Sequence, residues 1–419
     1  MNDYRQLRIN GQRLWDSLME MAEIGATQKG GCNRQALTDL DKQGRDLFVK
    51  WCEDAGCSVT VDEMGNIFAQ RPGTGCKNGP DLPPVLTGSH LDTQPTGGKF
   101  DGVYGVLSGL EVIRALNDAG VETEAPVEVA VWTNEEGARF SPAMIGSGVW
   151  AGEFDLDYAY ARQDKEGKTF GAELERIGYK GQAPAKPRPL AAAFEVHIEQ
   201  GPILEAEEKT IGVLSGVQGM NWYDLTLIGQ PCHAGPSPME GRRDPFMGLH
   251  RILDQLYKLA EEHAPWARAT FGDIRVEPGS RNTVPEKLVL AVDLRHPDQK
   301  TLDAMDQRFR EIAASVAEET GLEHEIREEW RSPAVAFDTK CVEAVRSAVA
   351  DLGYSNKEMV SGAGHDSVYI SRVAPTSMIF VPCEKGLSHN EAENAEPKDL
   401  EAGANVLLHA MLKMANNAT

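Results

Sequence analysis

Residues 127–140 read VEVAVWTNEEGARF. VEVAVW has the branched apolar residues of a buried strand, and it runs straight into two adjacent carboxylates, Glu135 and Glu136, followed at once by Gly137. A solvated turn is the ordinary explanation for charges at a strand end. What decides between that and a site is how the neighbouring strands end. Upstream lies the strand VLTGSH (85–90), then a helix over about 103–119; downstream a helix starts near Ala143 and a strand AAAFEVHI follows the proline-rich connector GQAPAKPRPL (181–190). This β-α-β-α alternation predicts a mostly parallel sheet covered by helices. Helical spacing over 9–24 and 39–54, with Thr38 as N-cap of the second, and a hairpin over 58–70 turning at Met64-Gly65 complete the first third.

The character changes near residue 215. WYDLTLIGQ (222–230) alternates like a half-exposed strand, a helix follows over about 244–263, then strands at 268–277 and 286–295, a long helix at 299–319 and the strand LEHEIREEW (322–330). Two strand pairs with two helices describe an α+β insertion. After Pro333 the earlier rhythm resumes with a helix at 339–352, strands EMVSG and TSMIFV, and a final helix at 397–415. The expected fold class is α/β: a catalytic domain of residues 1–214 and 332–419, with a mostly parallel central sheet flanked by helices, interrupted by an inserted α+β domain of residues 215–331.

The chain of 419 residues is long enough for two domains, and its net charge of −22 argues against nucleic acid and anionic membrane as partners. An anionic substrate would need local cationic capture. No stretch approaches the roughly 18 uninterrupted apolar residues of a membrane span, and MNDYRQLRIN lacks the apolar core of a signal peptide. Seven cysteines (32, 52, 57, 76, 232, 341, 383) with no C-x-x-C pair suit reduced thiols and a cytoplasmic location.

Other strand ends repeat the pattern of the first. SHLDT places His90 and Asp92 two apart at the end of VLTGSH, where residues share a face and Asp92 can steady the His90 ring from a second layer. TGGKFDG (96–102) sets Asp101 among glycines before a helix; a phosphate cradle is the competing explanation, but G-x-x-x-x-G-K-[ST] is absent. FEVHIEQG carries His197, and GLSHNEAE carries His389 just past SMIFVP. Thus His90, Asp101, Glu136, His197 and His389 all fall within a few residues of sheet-strand ends, the edge where open α/β sheets bind ligands. Three histidines with two carboxylates suit two divalent transition ions, one carboxylate bridging them.

The ordered series SHLDTQPTGGKFDG, TNEEGARF, HIEQGPILE, GQPCHAGPSPMEGRRD, RNTVPEK, VDLRHP, GAGHD and SHNEAE resembles the metal-dependent N-carbamoyl amino acid amidohydrolases of the dinuclear aminopeptidase-like superfamily. These include L-carbamoylases, β-ureidopropionases and allantoate amidohydrolases. The resemblance implies an inserted lid domain through which the chain forms a homodimer. It further implies that His90 and His197 ligate one ion, that Glu136 and His389 ligate the other, and that Asp101 bridges. Zinc, manganese, cobalt or nickel all fit such donors. Glu135 is then the catalytic acid–base. His233 is implied as the donor to the oxyanion, delivered from the partner subunit, and Asn282 and Arg295 as the grip on a substrate carboxylate. Gln200, Gly364 and His365 line the substrate side. The implied reaction is attack of metal-bound hydroxide on the ureido carbon of a small anionic N-carbamoyl amino acid, giving amino acid, carbon dioxide and ammonia. An allantoate amidohydrolase shares every motif quoted; a dinuclear metallopeptidase and a non-catalytic binding relative fit less well. Side-chain size, stereochemistry and α against β substrate stay open.

Overall fold

The structure, a computed structural model, describes residues 4–75 and 82–416; Cys76 of the cysteine set lies outside them. The chain divides into two compact units, Met1–Ser215 with Ala336–Thr419, and Gly216–Val335.

The larger unit is built on a nine-stranded sheet whose centre is parallel. Side by side run Val127–Trp132, Val85–His90, Ala192–Ile198 and Thr376–Val381, each parallel to its neighbour. All residues of these four strands are buried. That explains why they read as apolar runs, since a parallel sheet is covered on both faces. The flanks are antiparallel: the hairpin of Ser58–Val61 and Ile67–Arg71 pairs outward from Val127–Trp132, and Ile211–Val217 pairs with Thr376–Val381. Phe68, Trp132 and Trp150 pack in one cluster, Phe68 edge to face on Trp132 and Trp150 tilted against both. Full burial of each such ring contributes roughly 1.5–3 kcal/mol. Helix starts follow local chemistry: Asn10 and Thr38 cap Gly11–Glu23 and Asp39–Asp54 by accepting the N–H of Arg13 and Asp41.

The smaller unit holds one five-stranded antiparallel sheet rather than two separate pairs. Lys287–His296 is hydrogen-bonded to Gly219–Ile228 on one side and to both Ile274–Glu277 and Arg268–Thr270 on the other. The predicted strand at 268–277 is therefore two short ones. Alternate residues of Lys287–His296 are buried, and Leu288, Leu290, Val292 and Leu294 meet the apolar faces of helices Pro245–Glu262 and Gln299–Thr320. No described helix is long and apolar enough to cross a membrane.

Candidate metal centre

Because the four central strands run the same way, their carboxyl ends share one edge, and the candidate residues gather there. His90 ends its strand, and its Nδ1–H donates to the backbone carbonyl of Asp92 at 2.8 Å; His197 Nδ1–H donates to the carbonyl of Ile198 at 2.9 Å. A carbonyl can only accept, so Nδ1 carries a proton in both rings, and in the neutral ring Nε2 is the unprotonated nitrogen. Gly102 N–H donates to His197 Nε2 at 3.1 Å, consistent with that tautomer. Both nitrogens face Asp101 Oδ1, at 3.5 Å from His90 and 3.1 Å from His197. The other oxygen, Asp101 Oδ2, faces His389 Nε2 at 3.4 Å, and that nitrogen lies 3.3 Å from Glu136 Oε2.

One carboxylate thus serves two groups of donors, one per oxygen. Two ligand atoms on a common tetrahedral ion lie about 3.3–3.6 Å apart, close to these separations, so the donor set fits a pair of divalent transition ions. Its charge fits as well. Among the described residues no lysine or arginine pairs with Asp101, Glu135 or Glu136. Burial pushes Glu136 up to about 7 and Glu135 well above the carboxylate range. Burial opposes ionisation of Asp101 too, but the His197, His389 and His90 hydrogen bonds outweigh it and hold Asp101 well below its usual range. Buried carboxylates without cations are what bound dications would neutralise.

Second-layer contacts hold this frame. Glu136 takes the Gln94 side-chain N–H at 2.8 Å and its backbone N–H at 3.2 Å. Asp101 Oδ2 takes Gln200 Nε2 at 2.8 Å and Ser388 Oγ at 2.7 Å, while Glu393 accepts the backbone N–H groups of Phe100 and Asp101 at 2.8 and 3.1 Å. Two glycines of TGGKFDG are required by proximity. Gly102 has φ +69°, and a Cβ there would lie 2.3 Å from the His90 ring; one on Gly98 would lie 2.0 Å from the Glu393 carboxylate.

Asp92 differs from expectation. Its carbonyl, not its carboxylate, fixes the His90 tautomer, and the carboxylate instead accepts the N–H groups of Glu135 and Glu136 at 3.3 Å each. The short side chain turns toward the neighbouring strand's exit, so it seats the glutamate pair. Glu135 Oε2 lies 3.4 Å from His90 Nε2 at the edge of the cluster. Gln200 reaches Asp101 through Nε2, while its Oε1 is buried without a partner. His365 is buried, its ring 4.7 Å from that of His197 and its Nε2 3.0 Å from Ser361 Oγ, with half-buried Gly364 beside it.

Sequence reasoning missed Gln94, Glu195, Asp366, Ser388 and Glu393. Glu195 accepts Ser89 Oγ at 2.7 Å and Ser367 Oγ at 2.6 Å, joining the strand of His90 to the segment after His365. Its position two before His197, on the same strand face, was the available signal. Asp366 bonds to Ser147 Oγ. A separate surface cavity of about 670 Å³, lined by Glu205, Tyr354, Glu384 and Asp399 among others, contains none of these residues.

Three expected residues lie in the smaller unit. Exposed His233 and Asn282 sit on paired short segments, with Thr283 opposite His233 and the Ala234 N–H donating to the Asn282 carbonyl at 2.9 Å. His233 Nδ1 accepts the Gly235 N–H at 3.1 Å, which leaves Nε2 as the protonated nitrogen. Arg295 is not grouped with them. The loop bearing Asn282 rejoins the sheet at Lys287, and eight residues of strand, about 27 Å, separate that point from Arg295, which lies opposite Met220 where the chain enters the unit.

Residues 86–413 match the family model described as peptidase family M20/M25/M40. The chain belongs to that family. It is 53% identical over 408 residues to an N-carbamoyl-L-amino-acid amidohydrolase of Rhizobium meliloti, covering 97% of each chain. It is 33% identical to an allantoate amidohydrolase of Bacillus subtilis, covering 96% of this chain and 97% of that one. Among solved structures, an amidase of the hydantoinase/carbamoylase family from Burkholderia multivorans is 57% identical, with a TM-score of 0.92 and 98% of each chain covered. These M20 relatives are named for action on amide bonds outside peptides, and the α/β fold with an insertion is theirs.

Proposed function

We propose that the chain hydrolyses the ureido C–N bond of N-carbamoyl amino acids, of the L-amino acid or β-ureidopropionase type, releasing amino acid, carbon dioxide and ammonia. The observation that carries this is Asp101, whose two oxygens face two separate donor groups beside the uncommitted carboxylate of Glu135. The substrate class is supported by the name of the Rhizobium meliloti relative, which at 53% identity is far nearer than the allantoate amidohydrolase at 33%.

In this proposal His90, His197 and Asp101 hold one divalent ion, and Asp101, Glu136 and His389 hold a second, zinc, manganese, cobalt or nickel. When bound, the ions lower the pKa of a water and polarise the substrate carbonyl. Glu135 accepts the proton from the attacking water and delivers it to the departing nitrogen. Its buried position favours a proton-carrying form, which suits the second half of that role. Gln200 offers its unpaired Oε1 to a substrate N–H, and Gly364 and His365 border the same space. His233 donates its Nε2–H to the developing oxyanion. Arg295 meets the substrate carboxylate as a guanidinium fork.

His233 and Asn282 come from a second copy of the chain, a homodimer through the inserted unit. Their distance along the sheet from Arg295 supports this. So does the exposed apolar row of that unit, where Phe246 and Tyr257 on one helix are 44% and 54% exposed. The six described cysteines are all free, in keeping with a reducing cytoplasm.

A panel of N-carbamoyl-β-alanine, N-carbamoyl-L- and D-amino acids and allantoate, with ammonia release measured, tests the proposal. Turnover of N-carbamoyl-L-amino acids or N-carbamoyl-β-alanine is expected to dominate. Dominant turnover of allantoate would transfer the chain to the other amidohydrolase class.

A further inference from the structure

We infer that Asn134 is a positioning residue for Glu135: its side-chain amide ties the following loop to the end of the strand and so fixes where the Glu135 carboxylate stands. This rests on the assignment of Glu135 as the acid–base made above.

Asn134 lies just past the strand Val127–Trp132 and is completely buried. Its φ of +59° falls in the left-handed region, which asparagine tolerates better than most side chains but still at a cost. After this turn the next two N–H groups, of Glu135 and Glu136, both meet the Asp92 carboxylate. Asn134 Nδ2 donates to the carbonyl of Phe140 at 2.8 Å. A carbonyl only accepts, so the NH2 half of the amide must face it. The other half, Oδ1, is buried without a partner among the described residues. Phe140 is a firm anchor, its ring fully buried and edge to face with Phe170 at 5.3 Å. Backbone bonds close the same loop: Met144 N–H donates to the Glu135 carbonyl at 2.7 Å, and Gly146 N–H to that of Thr133 at 3.1 Å.

Two features of Asn134 work against stability, the left-handed backbone and the orphaned acceptor. A residue that served packing alone would carry neither. Gln200 and His389, in the same site, share the left-handed backbone, with φ of +56° and +53°. Strain gathered at one site and held there by its surroundings points to positioning. The competing role is plain loop closure. Met144 and Gly146 already close the loop through the backbone, so its fold outlasts loss of the Asn134 amide. The direction in which the Glu135 side chain leaves the backbone does not, and misplacing a reacting group by about 1 Å costs up to about 10²-fold in rate.

The test compares wild type, Asn134→Gly, Glu135→Gln and the double variant, each loaded with the same divalent ion, on the N-carbamoyl amino acid turned over best in the panel. Asn134→Gly leaves the left-handed backbone open and removes only the amide. Its kcat is expected to fall about tenfold or more with KM within about threefold. Metal content should match wild type, and the melting temperature should stay within about 4 °C. Added to Glu135→Gln, the same change should lower kcat by no more than about twofold further, because the group it positions is already gone. Asn134→Ala, which sets a methyl on the left-handed backbone, should show the same fall in kcat with a lower melting temperature. Wild-type kcat in Asn134→Gly, or losses that multiply in the double variant, would overturn the inference. A glycine variant that loses metal or does not fold would overturn it too and mark Asn134 as a fold determinant. Failure of the underlying assignment looks different: Glu135→Gln would then keep wild-type kcat, and the inference would fall with it.

Discussion

Glu135 and Glu136 are sequence neighbours to which the proposed function gives different duties, and geometry separates them. Glu136 points toward His389, while Glu135 stays at the cluster's rim by His90. Glu135→Gln keeps the shape and removes the proton carrier, so kcat should fall by about 10²–10⁴-fold with metal content unchanged; steady-state kinetics alongside elemental analysis checks this. Protonation adds a second expectation. In the metal-free chain, burial pushes Glu136 from 4.5 up to about 7, and the Asp101 hydrogen bond pushes His389 from 6.5 up to about 9. Both folded-state values are raised, so the folded state holds more protons than the unfolded one, and stability falls as pH rises. The Glu136 contribution is lost from about 4.5 to 7, and that of His389 from about 6.5 to 9. The metal-free melting temperature should therefore decline between about pH 5 and 9, whereas metal affinity should weaken below about pH 7, because ions must displace these protons. Thermal scans and metal titrations across that range show whether the two slopes oppose each other.

At the level of elements, the strands of the larger unit were legible because a parallel sheet demands apolar runs, and each run stopped at a polar residue that the shared polarity then brought together. The duty of Asp92 was not legible, because spacing shows that two residues share a face but not which atom of the second reaches the first. Glu393 was hidden for a related reason: it acts on the backbone N–H groups of Phe100 and Asp101, contacts some 290 residues away in sequence. Ile211–Val217 went unread as a strand, since its glycines dilute the branched pattern. Gly102→Ala should be costly. The added methyl meets the His90 ring and the backbone holds φ +69°, so a loss of about 1–3 kcal/mol with impaired metal retention is expected, seen as a lowered melting temperature and sub-stoichiometric metal. Asn221, in the strand Gly219–Ile228, is fully buried with neither side-chain atom partnered. Asn221→Leu should therefore stabilise the chain by about 1 kcal/mol in denaturant titrations, and destabilisation would show that the amide has a hidden partner.

For the molecule as a whole, the proposed function makes a second copy part of the chemistry, with His233 and Asn282 supplied by one chain and Arg295 by the other. Mixing inactive Glu135→Gln with inactive His233→Ala chains, unfolded and refolded together, should restore about a quarter of wild-type activity, because half the dimers are mixed and each carries one complete site. Mixing Glu135→Gln with Arg295→Ala should restore little if, as proposed, Arg295 serves its own chain's site. All of this presupposes the paired ions. Crystals grown with zinc or manganese and measured at the metal's absorption edge address that directly. Two anomalous peaks per chain are expected, one among His90, Asp101 and His197 and one among Asp101, Glu136 and His389. A single peak, or peaks remote from Asp101, would contradict the account.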